Sequence, residues 1–340
     1  MRLLVFCWEV GSAGALIPLV RHAISEGWQI LDASLEPGAS ILKQAVPGLE
    51  RCQEGAEVRG LADVAVAGVG HPKHASGWSR WKTLNQAIPS LVVLDHWKGL
   101  ERFQTVDGSL NSADLPRKIC VIDDLVEARL SNMGVPREKI EIIGNMAIIK
   151  AAKSEAGDDG QVLRKELGLA KDTPLYFLAS ETLHRHSFHE PCNENCWPLE
   201  QHLLSSGQNL LEWTAVQAAA DSACLALRPH PNQPLPEQLF RNIRVVPWSI
   251  ATDDKLLAIA SKVWGLSSMI TAKAVASGKE TENLAPLLEG WTPEQSFMDQ
   301  EVWGGLVQRG VFGSKVKGKH HCMASADASH ILKLLEILGA

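Results

Sequence analysis

The chain has 340 residues, 45% of them hydrophobic and 21% charged, which is enough apolar material for a large core and excludes a disordered chain. Its net charge is −6 with no long basic run, so binding to nucleic acid by phosphate neutralisation is not expected. No apolar stretch reaches the roughly 18 residues of a membrane span, and Glu9 interrupts the first apolar run too early for a secretory signal.

In chain order, residues 2–8 (RLLVFCW) read as a buried strand, followed by the small-residue loop Gly11-Ser12-Ala13-Gly14. A helix over 15–25 ends at Gly27, and strands follow at 28–33 and 64–69, with an ambiguous stretch over 41–49. Residues 80–87 read as a helix and 90–94 (SLVVL) as a strand that delivers Asp95-His96-Trp97 at its C-terminal end. A strand at 118–122 leads into a helix over 123–133, with Asp123 or Asp124 as N-cap and Gly134 as the stop. A strand at 140–143 closes this half. Residues 150–173 are polar and Gly-bearing, with a short helix and turn, and the domain boundary is placed there. The alternation then restarts: a strand at 175–179, a polar His- and Cys-rich insertion at 182–202, a helix at 209–221 and a strand at 224–227. The rest reads as strands at 243–246 and 262–265 and helices at 253–261, 269–277, 285–309 and 326–338. Strands alternating with helices imply βαβ units and parallel sheets. The expected fold is α/β, with two Rossmann-like domains, 1–150 and 151–340, facing each other across a cleft. Ligands of such sheets bind at the carboxyl ends of strands.

Those ends select the candidate residues. Arg228-Pro229-His230-Pro231 closes one strand, and Gly265-Leu266 closes another before Ser267-Ser268 opens a helix. Backbone N–H groups and hydroxyls at a helix start hold phosphate oxygens, and Arg228 and His230 would add donors. Ser as a plain N-cap and Pro as a strand stop explain the same residues without a ligand. In the first half Asp95 and Glu9 are the acids at strand ends. Either would serve as a general base if it faced a ligand. A turn cap explains Asp95 equally, and a salt bridge explains Glu9. Trp97 and Phe103 would offer a sugar an apolar face. Asp123 is explained by N-capping. Gly11-x-x-Gly14 lacks the G-x-G-x-x-G dinucleotide fingerprint, so NAD is not expected. His71-Pro72-Lys73-His74 would line the acceptor side or sit as an exposed loop. In the insertion, His184, His186, His189, Cys192 and Cys196 would suit zinc chemically, yet their spacing fits no zinc module. No metal and no cofactor are expected. An odd set of seven scattered cysteines argues for reduced thiols and a cytoplasmic location.

The pairing of a strand-terminal Arg-x-His-Pro with a later strand–Ser-Ser–helix resembles the nucleotide-binding half of GT-B glycosyltransferases. It is most similar to bacterial sialyltransferases, polysialyltransferases and CDP-glycerol transferase-like families. The resemblance covers residues 175–280. It implies donor contacts at Arg228, His230, Pro231, Ser267 and Ser268, and cytidine-activated (CMP or CDP) donors over UDP. The small-residue loop with Gly11 and Gly14 resembles the loop after the first strand of the same enzymes, where acceptor or donor passes close to the backbone, and the resemblance implies donor contacts at Gly11 and Gly14 as well. The acidic-acidic-Gly motif whose carboxylate deprotonates the acceptor in those sialyltransferases is absent from residues 1–150, leaving Asp95 or Glu9 for that role. Thr182, His184 and Arg185 resemble a segment of UDP-GlcNAc 2-epimerases that holds a catalytic His, although the Val-Glu-Ala-Gly stretch of those enzymes is absent. The expected function is a metal-independent transfer of a sugar or sugar acid from a nucleotide donor to a saccharide or lipid-linked acceptor, with peripheral membrane association as a route to the latter. The alternatives are an epimerase-like enzyme and a non-catalytic nucleotide-sugar-binding relative.

Overall fold

The first apolar run becomes β1 (Arg2–Cys7), and every residue after Arg2 in it is buried, as befits a strand covered on both faces. The structure, a computed structural model, describes residues 1–52, 60–68, 75–98, 100–104, 109–153, 158–181, 202–229, 241–247, 250–296, 298, 300–312 and 328–339. It divides into two units, Met1–Ala147 with Met323–Ala340, and Ile148–Cys322.

In the first unit β1 is flanked by β2 (Gln29–Asp32) and β4 (Val64–Gly68). The sheet continues through β3 (Glu50–Arg51) on one side and β5 (Ser90–Val93), β6 (Lys118–Val121) and β7 (Ile140–Ile142) on the other. Among the described residues this makes a seven-stranded parallel sheet of order β3-β2-β1-β4-β5-β6-β7. The order reverses beside β1, and such a reversal opens a crevice at the carboxyl ends of β1 and β4. On one face α1 (Val10–Ser25) lays Leu16, Leu19, Val20 and Ala23 over Leu3, Val5, Val64 and Val66. The ambiguous stretch at 41–49 contains most of α2 (Gly38–Ala45), which packs Leu42 into the same core. The helix expected from residue 80 starts earlier, as α3 (Ala75–Ala87). Next come α4 (Asp124–Asn132) and α5 (Met146–Lys153), within which the chain passes to the second unit.

The second unit follows with α6 (Asp158–Glu166), β8 (Leu175–Ala179), α7 (Leu210–Ala220), β9 (Cys224–Arg228), β10 (Ile243–Val245), α8 (Asp253–Ile259), β11 (Lys262–Gly265), α9 (Met269–Ala276) and β12 (Glu280–Asn283). Its parallel sheet has the order β10-β9-β8-β11-β12, with the reversal beside β8. Alternate residues divide between two cores: Leu178, Leu225 and Leu227 pack with α7, while Phe177, Ala226 and Val263 pack with α8 and Leu163 of α6. β12 was not legible in the sequence because ETEN carries no apolar residue. It stands inside the unit because Glu282 accepts the Trp264 indole N–H at 3.1 Å and pairs with Lys262 at 3.2 Å. The long helix expected over 285–309 is instead two short 3₁₀ turns and α10 (Gln300–Gln308), since Pro286, Gly290 and Pro293 interrupt it. The last helix, α11 (Ala328–Gly339), was expected with the second domain. It packs instead on the first unit, where Ile331, Leu332 and Leu335 join the α1 core. No helix of the described residues is long and apolar enough to cross a membrane.

Candidate functional site

Three candidate residues of the first unit meet at the carboxyl edge of its sheet. Glu9 follows β1 in extended geometry (φ −130°, ψ 158°) and is the N-cap of α1. The expected small-residue loop is therefore a correction: Gly11 and Gly14 lie inside the first turns of α1, not in a loop. The helix starts this early because Glu9 O accepts from Ala13 N at 3.0 Å, while the Ser12 hydroxyl accepts from Glu9 N at 3.3 Å, one of the N–H groups that a helix start leaves open. Asp95 follows β5 by two residues and reaches across to α1. A Cβ at Gly11 would lie 2.6 Å from Asp95 Oδ2, so the carboxylate occupies the space that only glycine leaves there. A Cβ at Gly14 would meet nothing.

Desolvation pushes the Asp95 carboxyl up from 3.8 to about 6; Arg102 pulls against that rise, and Glu9 adds to it. The Asp95 backbone is fixed from the next strand over but one, where Asn145 Nδ2 donates to Asp95 O at 2.7 Å. Neither Arg102 nor Asn145 was singled out by the sequence, because nothing local marks either as a neighbour of Asp95. His96 turns back on its own loop, its Nδ1 accepting from Lys98 N at 3.2 Å. The expected stacking platform is corrected: Trp97 is 1% and Phe103 6% exposed, so both are core. The Trp97 indole N–H donates to Asp123 Oδ2 at 2.9 Å, while Asp123 Oδ1 caps α4 by accepting from Val126 N at 3.1 Å.

In the second unit the candidates gather beside β8. Ser268 is the N-cap of α9, its hydroxyl accepting from Ile270 N at 3.0 Å. Ser267 is fully buried and gives both its donors to one carboxylate oxygen: its N–H lies 2.7 Å and its hydroxyl 2.8 Å from Glu181 Oε2. Glu181 stands two residues past β8, between that strand and the polar insertion, and was missed because no motif surrounds it. A carboxylate held at a helix start on an N–H and a hydroxyl occupies the type of position that favours a phosphate oxygen. Gly265, the last residue of β11, lets Thr271 of α9 close on the strand; a Cβ there would collide with the Thr271 hydroxyl.

Arg228 ends β9 but turns inward at 2% exposure. Its Nη2 donates to Ala251 O, and its Nε lies 3.4 Å from Asp253 Oδ1 at the start of α8. Burial raises the Asp253 carboxyl, and Lys273 and Arg228 partly offset the rise. Of the other candidates, His184, His230 and Pro231 lie outside the described residues, as do His71-Pro72-Lys73-His74 and the His/Cys cluster at 184–196. The described residues thus hold two separate constellations: an acid of raised pKa against a glycine in one unit, and a serine–carboxylate pair at a helix start in the other.

No family model matches the sequence, and no curated protein matches it. Solved structures share the fold. A UDP-GlcNAc 2-epimerase from Neisseria meningitidis, bound to UDP-GlcNAc, superposes with a TM-score of 0.61 at 12% identity, over 99% of this chain and 100% of that one. The wall teichoic acid polymerase TagF, in a crystal soaked with CDPG, gives 0.57 at 10% identity over 99% and 88%. HepE from Anabaena, in complex with UDP-glucose, gives 0.52 at 15% identity over 83% and 80%. The likeness is one of fold: two Rossmann-like parallel-sheet units of the GT-B class, a fold that these proteins share.

Proposed function

We propose that the chain is a glycosyltransferase that moves a sugar or sugar acid from a nucleotide-activated donor to a saccharide or lipid-linked acceptor. The observation that carries this reading is Asp95: a carboxyl at the carboxyl edge of a parallel sheet, pressed against Gly11 and raised to about 6. Such a group is ionised at neutral pH yet more basic than an ordinary carboxylate, as a general base requires. In the proposed step Asp95 takes the acceptor hydroxyl proton while that oxygen bonds to the donor sugar carbon. The bond from that carbon to the nucleotide phosphate breaks, and its electron pair leaves with the phosphate. The Ser267–Ser268 start of α9 stabilises that charge, with His230 and Pro231 as further donor contacts. Ser267 would then exchange its Glu181 partner for phosphate, or hold phosphate through its neighbours while Glu181 keeps it in place. Arg228, already engaged with Asp253 and Ala251 O, supports the strand end that carries His230. The donor is cytidine-activated, and the protein works in the cytoplasm, in keeping with the free thiols at Cys7, Cys52, Cys120 and Cys224.

The test is kinetic. Asp95→Asn should keep nucleotide affinity and lose turnover by at least ~100-fold. Turnover that persists in Asp95→Asn and vanishes in Glu9→Gln would move the base to Glu9. Donor choice is read by thermal shift against CMP-, CDP-, UDP- and GDP-sugars, since a bound ligand raises apparent stability. A second reading, a nucleotide-sugar epimerase, is favoured by the full-length superposition on the Neisseria enzyme. Conversion of UDP-GlcNAc without any acceptor would establish it, and would displace the transferase.

A further inference from the structure

We propose that the flank of α3 bearing Arg80 is a second ligand site, one that takes a sugar carrying an oxyanion, either a carboxylate or a phosphate. Ser76, Ser79, Arg80, Thr83 and Leu84 line a cavity of about 330 Å³ there. Their spacing places them on one side of the helix. The volume is at the small end of ligand pockets, about 300–1,000 Å³. On the opposite flank of the same helix Lys82 pairs with Asp114 at 2.6 Å and Asn85 Nδ2 donates to Asp114 O at 3.0 Å. Arg80 is different. Its Nε is buried and has no hydrogen-bond partner, and among the described residues its guanidinium forms no ion pair. A guanidinium that lines a cavity without an ion-pair partner there presents its outer N–H groups to an oxyanion entering that cavity.

The lining also states the ligand's chemistry. A guanidinium presents a planar fork of donors that matches a carboxylate or phosphate. The hydroxyls of Ser76, Ser79 and Thr83 beside it suit the hydroxyls of a sugar, and Thr83, whose own proton goes to Ser79 O at 3.2 Å, still offers lone pairs. Leu84 supplies an apolar wall. The charge of Arg80 also reaches Cys52, just beyond β3, where it partly offsets the rise that burial gives the thiol. In a transferase this site would hold an acidic residue of the acceptor; that assignment rests on the proposed function, whereas the binding itself does not.

Calorimetry on the full chain, with glucose 6-phosphate, glucuronate, glucose and inorganic phosphate as probes at millimolar concentration, tests the site. At least one of the two anionic sugars should bind, and more tightly than glucose or inorganic phosphate. Arg80→Met, which keeps the packing of the stem and removes the fork, should weaken that binding about tenfold or more. It should leave nucleotide affinity unchanged and the melting temperature equal or higher. Three results would overturn the site: no binding of either anionic sugar, equal binding by Arg80→Met, or a lowered melting temperature that makes Arg80 a structural residue. Conversion of UDP-GlcNAc without any acceptor would end the transferase reading and leave this site standing, so the two proposals fail separately.

Discussion

Asp95 combines two costs in one side chain. Its carboxyl is desolvated, and it excludes any side chain at position 11. A carboxyl raised from 3.8 to about 6 ionises later in the folded state than in the unfolded chain. Its contribution to stability is therefore complete below the unfolded value and is lost as pH rises through about 6. Asp95→Asn removes that loss. The variant should melt higher than the parent at pH 8 and show no such gain at pH 4, as thermal melts at the two values would reveal. Activity should run the other way, with kcat/KM rising as pH passes through about 6 and then levelling, because only the ionised carboxylate accepts a proton. Gly11→Ala should also lower turnover, since the new methyl displaces the Asp95 carboxylate.

At the scale of elements, the second unit relies on buried carboxylates to fix helix starts to strand ends. Glu181 ties β8 to α9 through Ser267, and Asp253 ties α8 to β9 through Arg228. Removing one partner from a buried ion pair leaves a charge without compensation. Asp253→Ala should destabilise the protein by about 3–5 kcal/mol, measured by urea unfolding. Glu181→Ala leaves the N–H and O–H of Ser267 without their acceptor and should cost about 1–3 kcal/mol. Bound nucleotide should recover part of that loss if phosphate takes up the same donors. Nucleotide that stabilises parent and variant equally would show that phosphate binds elsewhere.

For the whole molecule, the chain's two ends build one unit. α11 closes the core begun by β1 and α1, so the first unit is complete only after the second has been synthesised. Leu335 is fully buried in that core, and Leu335→Ala should cost about 2–5 kcal/mol. A chain of two units need not unfold in one step. Calorimetry should therefore show Leu335→Ala lowering one transition, while a nucleotide donor raises the other. If both changes move the same transition, the units unfold together.

How much of this was legible without coordinates follows from the range of the forces involved. The strands RLLVFC, VAVAG, SLVV, KICV, LYFLA and CLALR are apolar runs with at most one polar residue, placed at an end, and a buried parallel strand needs just that, so composition within a few residues announced both sheets and the α/β class. Their C-terminal ends picked out Glu9, Asp95, Arg228, Ser267 and Ser268 as residues to watch. Local pattern could not announce β12, a polar strand held by Trp264 and Lys262, or the return of α11 to the first unit. Nor could it pair Glu181 with Ser267 across 86 residues, or place Asp95 against Gly11. Periodicity reports which face of an element is buried, whereas strand order and crossovers decide which strand ends become neighbours. Burial and charge at those meetings then set what each side chain does, turning Arg228 inward to Asp253 and lifting the Asp95 carboxyl toward neutrality.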